Sequence, residues 1–110
     1  MTTTAPESHE DPRRIELTRA EQWVLHHVLV ARCERARADR RTPPWWTVDA
    51  IEKLENGAPS FTPFEARRLR TDLNEYAEVP ETPTEDAEAA RTVAEKLERT
   101  FEADLAASPE

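Results

Sequence analysis

The stretch TRAEQWVLHHVLVARC, residues 18–33, decides the fold. It opens as Thr18-Arg19-Ala20-Glu21, in which a threonine hydroxyl accepts from a free backbone amide and the glutamate three residues on reaches back to the cap's own amide. A helix starts there. At about 100° per residue, Trp23, Val24, Leu25, Val28, Leu29, Val30, Ala31 and Cys33 cover most of the helical circumference rather than one stripe. An element apolar on most sides has to be surrounded, so this helix is expected to be the central, most buried one. Its extension from Arg32 to Arg41 turns polar and meets Pro43-Pro44, where a helix cannot easily continue.

Downstream, Trp45 and Trp46 lead into a helical segment from Val48 to about Asn56, with Thr47 as its cap and Gly57 as a left-handed stop. The loop to Thr62-Pro63-Phe64-Glu65 ends in a cap, a proline at the first helical position and a capping-box glutamate. The helix opened there puts Ala66, Leu69, Leu73, Tyr76 and Ala77 on one face and ends near Glu78, before Pro80. The same start recurs as Thr82-Pro83-Thr84-Glu85, and Ala90, Val93, Ala94, Leu97, Phe101 and Leu105 then follow at helical spacing. No strand alternation and no hairpin turn is legible. The expectation is an all-α, compact four-helix domain of two long and two short helices over residues 15–106. Residues 1–14 read as a disordered tail that Ile15 and Leu17 staple to the core, and residues 107–110 as a frayed end. An alternative places the last helix, behind the acidic linker, on a partner chain.

Composition narrows the function. At 110 residues there is room for one core, burying roughly two thirds of the unfolded surface. A single glycine excludes glycine-rich phosphate loops and the dinucleotide fingerprint, which need several positions without a Cβ. A single cysteine, Cys33, excludes an intramolecular disulfide and a thiolate cluster, as fits a reducing cytoplasm. The first fourteen residues lack an apolar stretch, and the run Trp23 to Ala31 is far short of the roughly 20 residues of a membrane span. Neither a signal peptide nor a transmembrane segment is therefore expected.

The candidates for chemistry are weak. His26 and His27 are adjacent and project about 100° apart, whereas two helical metal ligands need i, i+3 or i+4 spacing. His26 and Cys33 share a face but lie roughly 10 Å apart at 1.5 Å per residue. The histidines read instead as polar interruptions that orient a core helix, with His27 packed on Trp23. Cys33 has Arg32 and Arg35 beside it but no positioned base, so it reads as a small apolar residue at the core's edge. With 17 glutamates, carboxylate pairs carry no acid/base signature. No enzyme, no cofactor and no metal are expected.

The sharpest feature is an asymmetry of charge. The chain carries a net −8, yet Arg32 to Arg41 holds five arginines against Glu34 and Asp39, and Trp45-Trp46 follows at once. Arginine with nearby indoles is the composition of an interaction hot spot. Arg32, Arg35, Arg37, Arg40, Arg41, Trp45 and Trp46 are therefore the candidate partner-binding group. Two plainer readings compete: the arginines pair with the five acids of the linker Glu78–Glu88, or the tryptophans plug the ends of the core. A second group, Arg67, Arg68, Arg70, Thr71 and Asn74, lies off the apolar stripe of the third helix, where a helix-turn-helix protein reads bases and phosphates. Against it, the connection from Gly57 to Thr62 is long, and Glu65, Asp72 and Glu75 offset the arginines.

Thirteen arginines against Lys53 and Lys96, with a large excess of acids, resemble the proteomes of salt-accumulating halophilic archaea. The Thr-capped first helix, the short helix closing on Leu-Glu-Asn-Gly, the Phe-Thr-Pro-Phe-Glu start and the arginine-rich third helix resemble small haloarchaeal proteins of unknown function, from about Ile15 to Phe101. The resemblance implies the fold and the host and brings no binding or catalytic residue with it. The resulting expectation is a non-enzymatic, cytoplasmic interaction or regulatory adaptor with a protein partner or a second copy of itself. The alternative is a small helix-turn-helix-like DNA-binding regulator.

Overall fold

The computed structural model describes residues 12–57 and 59–102. Among them the chain runs through β1 (Arg13–Arg14), α1 (Arg19–Ala38), α2 (Trp45–Glu55), β2 (Ser60–Phe61), α3 (Pro63–Glu78) and α4 (Thr84–Thr100). Both legible capping boxes are made. Thr18 and Glu21 exchange amide-to-side-chain bonds of 3.2 and 3.0 Å at the head of α1, and Thr62 and Glu65 repeat the pair at α3. Each box satisfies two amides that a helix start otherwise leaves open.

The other two helices start differently from expectation. Pro44, with an extended ψ of 134°, caps α2 through its carbonyl, so the helix begins at Trp45 and Thr47 lies inside its first turn. The shift follows from the double proline, since the helix begins at the first residue after the rings. It turns Trp46, Ala50 and Leu54 inward together. In the second Thr-Pro start, the Thr82 hydroxyl donates to the Tyr76 carbonyl at 2.8 Å, near the end of α3, and Pro83 caps α4 without a side-chain bond. The box does not form because α4 begins one residue later than the pattern at α3, at Thr84, which leaves Thr82 outside the cap position.

Helix α1 stops before the prolines. Arg40 adopts a left-handed φ of 60°, the Arg40 amide reaches the Arg37 carbonyl at 2.9 Å, and the Arg41 amide reaches Ala36 at 2.7 Å. This is a Schellman closure with arginine where glycine is usual. Gly57, at φ 76°, fills the equivalent place after α2, with its amide on the Leu54 carbonyl at 3.0 Å.

The absence of strands needs correction. Arg13 and Arg14 pair antiparallel with Phe61 and Ser60, and the Ile15 amide continues the contact to Pro59 O at 3.1 Å. Two residues are too few for alternation to register, yet buried Ile15 and Phe61 hold the ribbon in place. Arg13 and Arg14 thus leave the tail assigned to residues 1–14, and residues 1–11 lie outside the described ones. Arg13 also donates to Thr100 O at 2.8 Å and sits 5.0 Å over the Phe101 ring, tying the chain start to the end of α4.

Helix α4 packs in cis on α3 and α1, with Ala87, Ala90, Val93, Ala94 and Leu97 buried. Alanines on that stripe let the helices approach closely. Leu105 and residues 107–110 lie outside the described residues. Around Leu25, Leu29, Leu69, Leu73, Leu97 and Phe101, all fully buried, the four helices share one core. The all-round burial expected for α1 is not observed. Its buried positions form a stripe, Val24, Leu25, Val28, Leu29, Cys33 and Ala36, while Trp23 is 68% exposed. Helices α2, α3 and α4 cover three sides of α1, and one sector stays open. Opposite it, buried Glu21 meets Lys96 of α4 at 2.6 Å, and Lys96 also donates to Glu16 O at 2.9 Å. Burial alone raises the Glu21 pKa, but hydrogen bonds from Lys96 and the Thr18 amide outweigh it and hold the carboxyl below its ordinary value. Among the described residues no helix is long and apolar enough to cross a membrane.

Candidate interaction surface

Asp72 lies on the buried stripe of α3, where an acid has to find a cation. Arg32 of α1 supplies it through a two-pronged contact, Nε to Oδ2 at 2.8 Å and Nη2 to Oδ1 at 2.9 Å. The planar guanidinium matches both carboxylate oxygens, so the contact fixes orientation as well as distance. The Arg32 side chain keeps 23% exposure against 9% for Asp72. Its guanidinium carbon also lies 5.5 Å from the Trp46 ring centre.

From Trp46 the contacts step outward. Trp46, 5% exposed, meets Phe64 edge to face with centroids 6.3 Å apart, and Phe64 is half exposed beneath Arg68, whose guanidinium carbon is 4.7 Å from the ring. Asp72, Arg32, Trp46, Phe64 and Arg68 therefore form a ladder from core to solvent. Each cation–ring rung contributes on the order of 0.5–1 kcal/mol when exposed.

The two arginine groups of the sequence meet across this ladder. A depression of about 270 Å³ is lined by Arg32, Phe64, Arg67, Arg68, Thr71 and Asp72. A neighbouring one of about 170 Å³ is lined by Arg32, Arg35, Ala36, Arg41, Thr42 and Pro44. Arg32 belongs to both. Arg35, Arg37 and Arg40 have no side-chain partner among the described residues, nor has Arg67. Arg41 meets Asp39 at 3.3 Å with both side chains mostly exposed, a pair worth little in water. None of these arginines pairs with the acids of Glu78–Glu88 among the described residues. The internal partner that does exist, Asp72, sits on α3 instead.

The remaining candidates divide. Trp45 is 77% exposed on the first turn of α2, whereas Trp46 is core, so of the tryptophan pair one is free and one is structural. Arg70 turns toward α4 and lies 3.7 Å from Glu98, away from the face of Arg67 and Arg68. Asn74 is exposed further along α3, beside Glu75 and Glu78. His26 bonds Glu55 of α2 at 3.0 Å, and His27 packs against Tyr76 at 5.2 Å rather than against Trp23. Cys33 is buried at the core's edge. Among the described residues no three His, Cys, Asp or Glu side chains group as metal ligands.

Sequence reasoning passed over Asp72 and Phe64. An acid on an apolar stripe, one residue before Leu73, was the available signal for the first. Phe64 was read only as part of a helix start, and its exposure follows from the register that Pro63 and Glu65 impose. Burial of Pro63, Glu65 and Ala66 leaves position 64 turned outward.

A model of a family of unknown function, DUF7853, matches residues 15–98, which takes in α1, α2 and α3 whole and most of α4. No curated protein and no solved structure matches the chain.

Proposed function

The chain belongs to the DUF7853 family, whose function is unknown, and we propose that this member is a non-catalytic interaction domain that captures a protein partner. The contact face is built from Arg35, Arg37, Arg40 and Arg41, from Arg67 and Arg68, and from exposed Trp45 and Phe64. One observation carries the reading. In a chain of net −8, Arg35, Arg41, Arg67 and Arg68 line adjoining depressions that share Arg32, with half-exposed Phe64 in the lining and Trp45 exposed on the first turn of α2. Desolvating an arginine costs less than desolvating a lysine, and arginine and aromatics dominate the energetics of interfaces. The acid-rich, arginine-over-lysine composition and the single cysteine support a cytoplasmic protein of a salt-accumulating cell. At molar salt the Debye length is about 3 Å, so such a face works by direct contact rather than by long-range steering.

A second reading, DNA binding through α3, is favoured by the exposed line Arg68, Thr71 and Asn74 on a helix that follows a shorter one. The two separate in one experiment. Tagged wild type and Trp45→Ala are used to capture material from native high-salt lysate, half of it nuclease-treated. The interaction reading expects a protein that survives nuclease and is lost with Trp45→Ala at unchanged helicity. Material that disappears with nuclease overturns it in favour of α3 and DNA.

A further inference from the structure

We infer that the trough between α1 and α3 is a docking site for a short acidic protein segment with one large apolar anchor. The inference rests on the interaction reading above and names the partner's chemistry. A third depression, of about 160 Å³, adjoins Asp72, where His27, Val28, Ala31, Glu75, Tyr76 and Val79 line it, apolar but for His27 and the rim carboxylate of Glu75. Asp72 joins it to the basin of Arg67 and Arg68, and Arg35 joins it to the basin of Arg41. The three depressions thus form one trough around a fixed bridge. Its two ends differ in chemistry.

The first end is apolar. Val79 stays 44% exposed at the foot of α3, and the Tyr76 hydroxyl is occupied by Asp86 at 3.2 Å, leaving the ring and the Ala31 methyl as lining. The second end is cationic, with Arg67 and Arg68 on α3, Arg35 on α1 and Arg41 just after it, and half-exposed Phe64 in the lining beside Arg67 and Arg68. A ligand that satisfies both ends carries an apolar side chain at one end and carboxylates at the other. Val79 and Phe64 are fifteen residues apart, about 22 Å along a helix, which an extended segment of about seven residues spans.

Charge complementarity selects a peptide over a nucleic acid. A phosphate strand is charged along its whole length, and beyond the arginines it would meet the carboxylate of Glu75, which lines the third depression. A peptide can confine its charge to the end that meets arginine. Helix-borne walls and a bidentate bridge keep the trough in shape before the partner arrives, which lowers the entropy cost of docking.

The test is a selection from a random twelve-residue peptide library displayed on phage, with purified full-length chain as bait. Winners are expected to place two or more Asp or Glu beside one Leu, Ile, Phe or Trp. Synthetic winners should bind Arg67→Glu/Arg68→Glu at least tenfold more weakly, and a library selected on that variant should change its charge preference from acidic to basic. Val79→Asp should weaken the same peptides at least fivefold, with circular dichroism confirming that both variants fold. Winners without acidic bias, or winners that both variants bind as tightly as wild type does, overturn the trough while leaving the chain an interaction domain. Failure to enrich any peptide, with retention of a random oligonucleotide pool by the same bait, overturns both.

Discussion

The Arg32–Asp72 contact is the joint on which both the α1–α3 packing and the candidate surface turn, so Asp72→Asn is the most informative single change. Asparagine keeps the shape and one acceptor oxygen. It removes the charge, and it presents an NH2 to one of the two guanidinium donors that now bond at 2.8 and 2.9 Å. Hydrogen bonds to charged groups contribute roughly 1.5–3 kcal/mol each, and losing one partner of a fully buried pair costs about 3–5 kcal/mol. Arg32 retains 23% exposure, so water takes up part of the orphaned donor, and the expected loss is about 2 kcal/mol. In a domain of this size that lowers Tm by about 8–16 °C. The assay is urea and thermal unfolding of Asp72→Asn, Arg32→Met and the double variant Arg32→Met/Asp72→Leu, followed by far-ultraviolet circular dichroism. Since the double variant leaves no charge unpaired, it should be more stable than either single one, with a coupling above about 1.5 kcal/mol. A single-variant loss below about 0.5 kcal/mol, or a double variant whose loss equals the sum of the two, would refute the assignment of this pair as the α1–α3 joint.

Three further outcomes follow from individual atoms. The Thr47 hydroxyl is fully buried without a partner among the described residues, so Thr47→Val, which keeps the shape, should raise stability by about 1 kcal/mol, while Thr47→Ser should lower it; a urea midpoint that falls with valine contradicts this. Arg40 holds a left-handed φ of 60° that costs an L side chain roughly 1 kcal/mol, so Arg40→Gly should stabilise, by up to about 1 kcal/mol in thermal unfolding, even though it removes a side chain. The Glu21 carboxyl has a folded pKa below its ordinary 4.5, because bonds from Lys96 and Thr18 overcome the effect of burial. A depressed folded pKa stabilises above the unfolded value and loses that contribution as pH falls through the folded one. Between neutrality and acid, the urea midpoint of wild type should therefore drop more than that of Glu21→Gln, whose amide oxygen still accepts from Thr18; parallel curves below pH 4.5 would exclude the effect.

What the sequence made legible was local and periodic. Both Thr-x-x-Glu boxes at α1 and α3, the Gly57 stop and the apolar stripes of α3 and α4 depend on neighbours within a turn, and all are found. What misled was competition over distance. Thr82 has the right spacing for a cap, but α4 begins one residue later, at Thr84, and the Thr82 hydroxyl donates to the Tyr76 carbonyl near the end of α3. Trp46 reads as surface beside Trp45, and only the start of α2 immediately after Pro44 turns one ring in and the other out. The candidate surface was legible as two separate arginine groups. Their union was not, because it depends on Arg32 finding Asp72 forty positions away, and a one-dimensional pattern holds no record of that pairing.

That pairing also separates the arginines by what each can be asked to do. Arg32 is committed to Asp72 and Trp46, so its removal has to appear as lost stability before it appears as lost binding. Arg35 and Arg37 occupy the last turn of α1, where a positive charge faces the helix carbonyl end and contributes roughly 0.3–1 kcal/mol, so their loss should affect folding slightly and binding more. Arg67 and Arg68 sit in the second turn of α3, past the first turn to which the helix-end charge effect is confined. Arg67 has no side-chain partner among the described residues and Arg68 has only its contact with half-exposed Phe64, so the fold asks little of either. If the surface serves a partner, Arg67→Ala should leave stability unchanged and Arg68→Ala should lower it by no more than the roughly 0.5–1 kcal/mol of its ring contact, while both reduce binding. A pair of substitutions that instead destabilised the chain without touching binding would return these arginines to the fold.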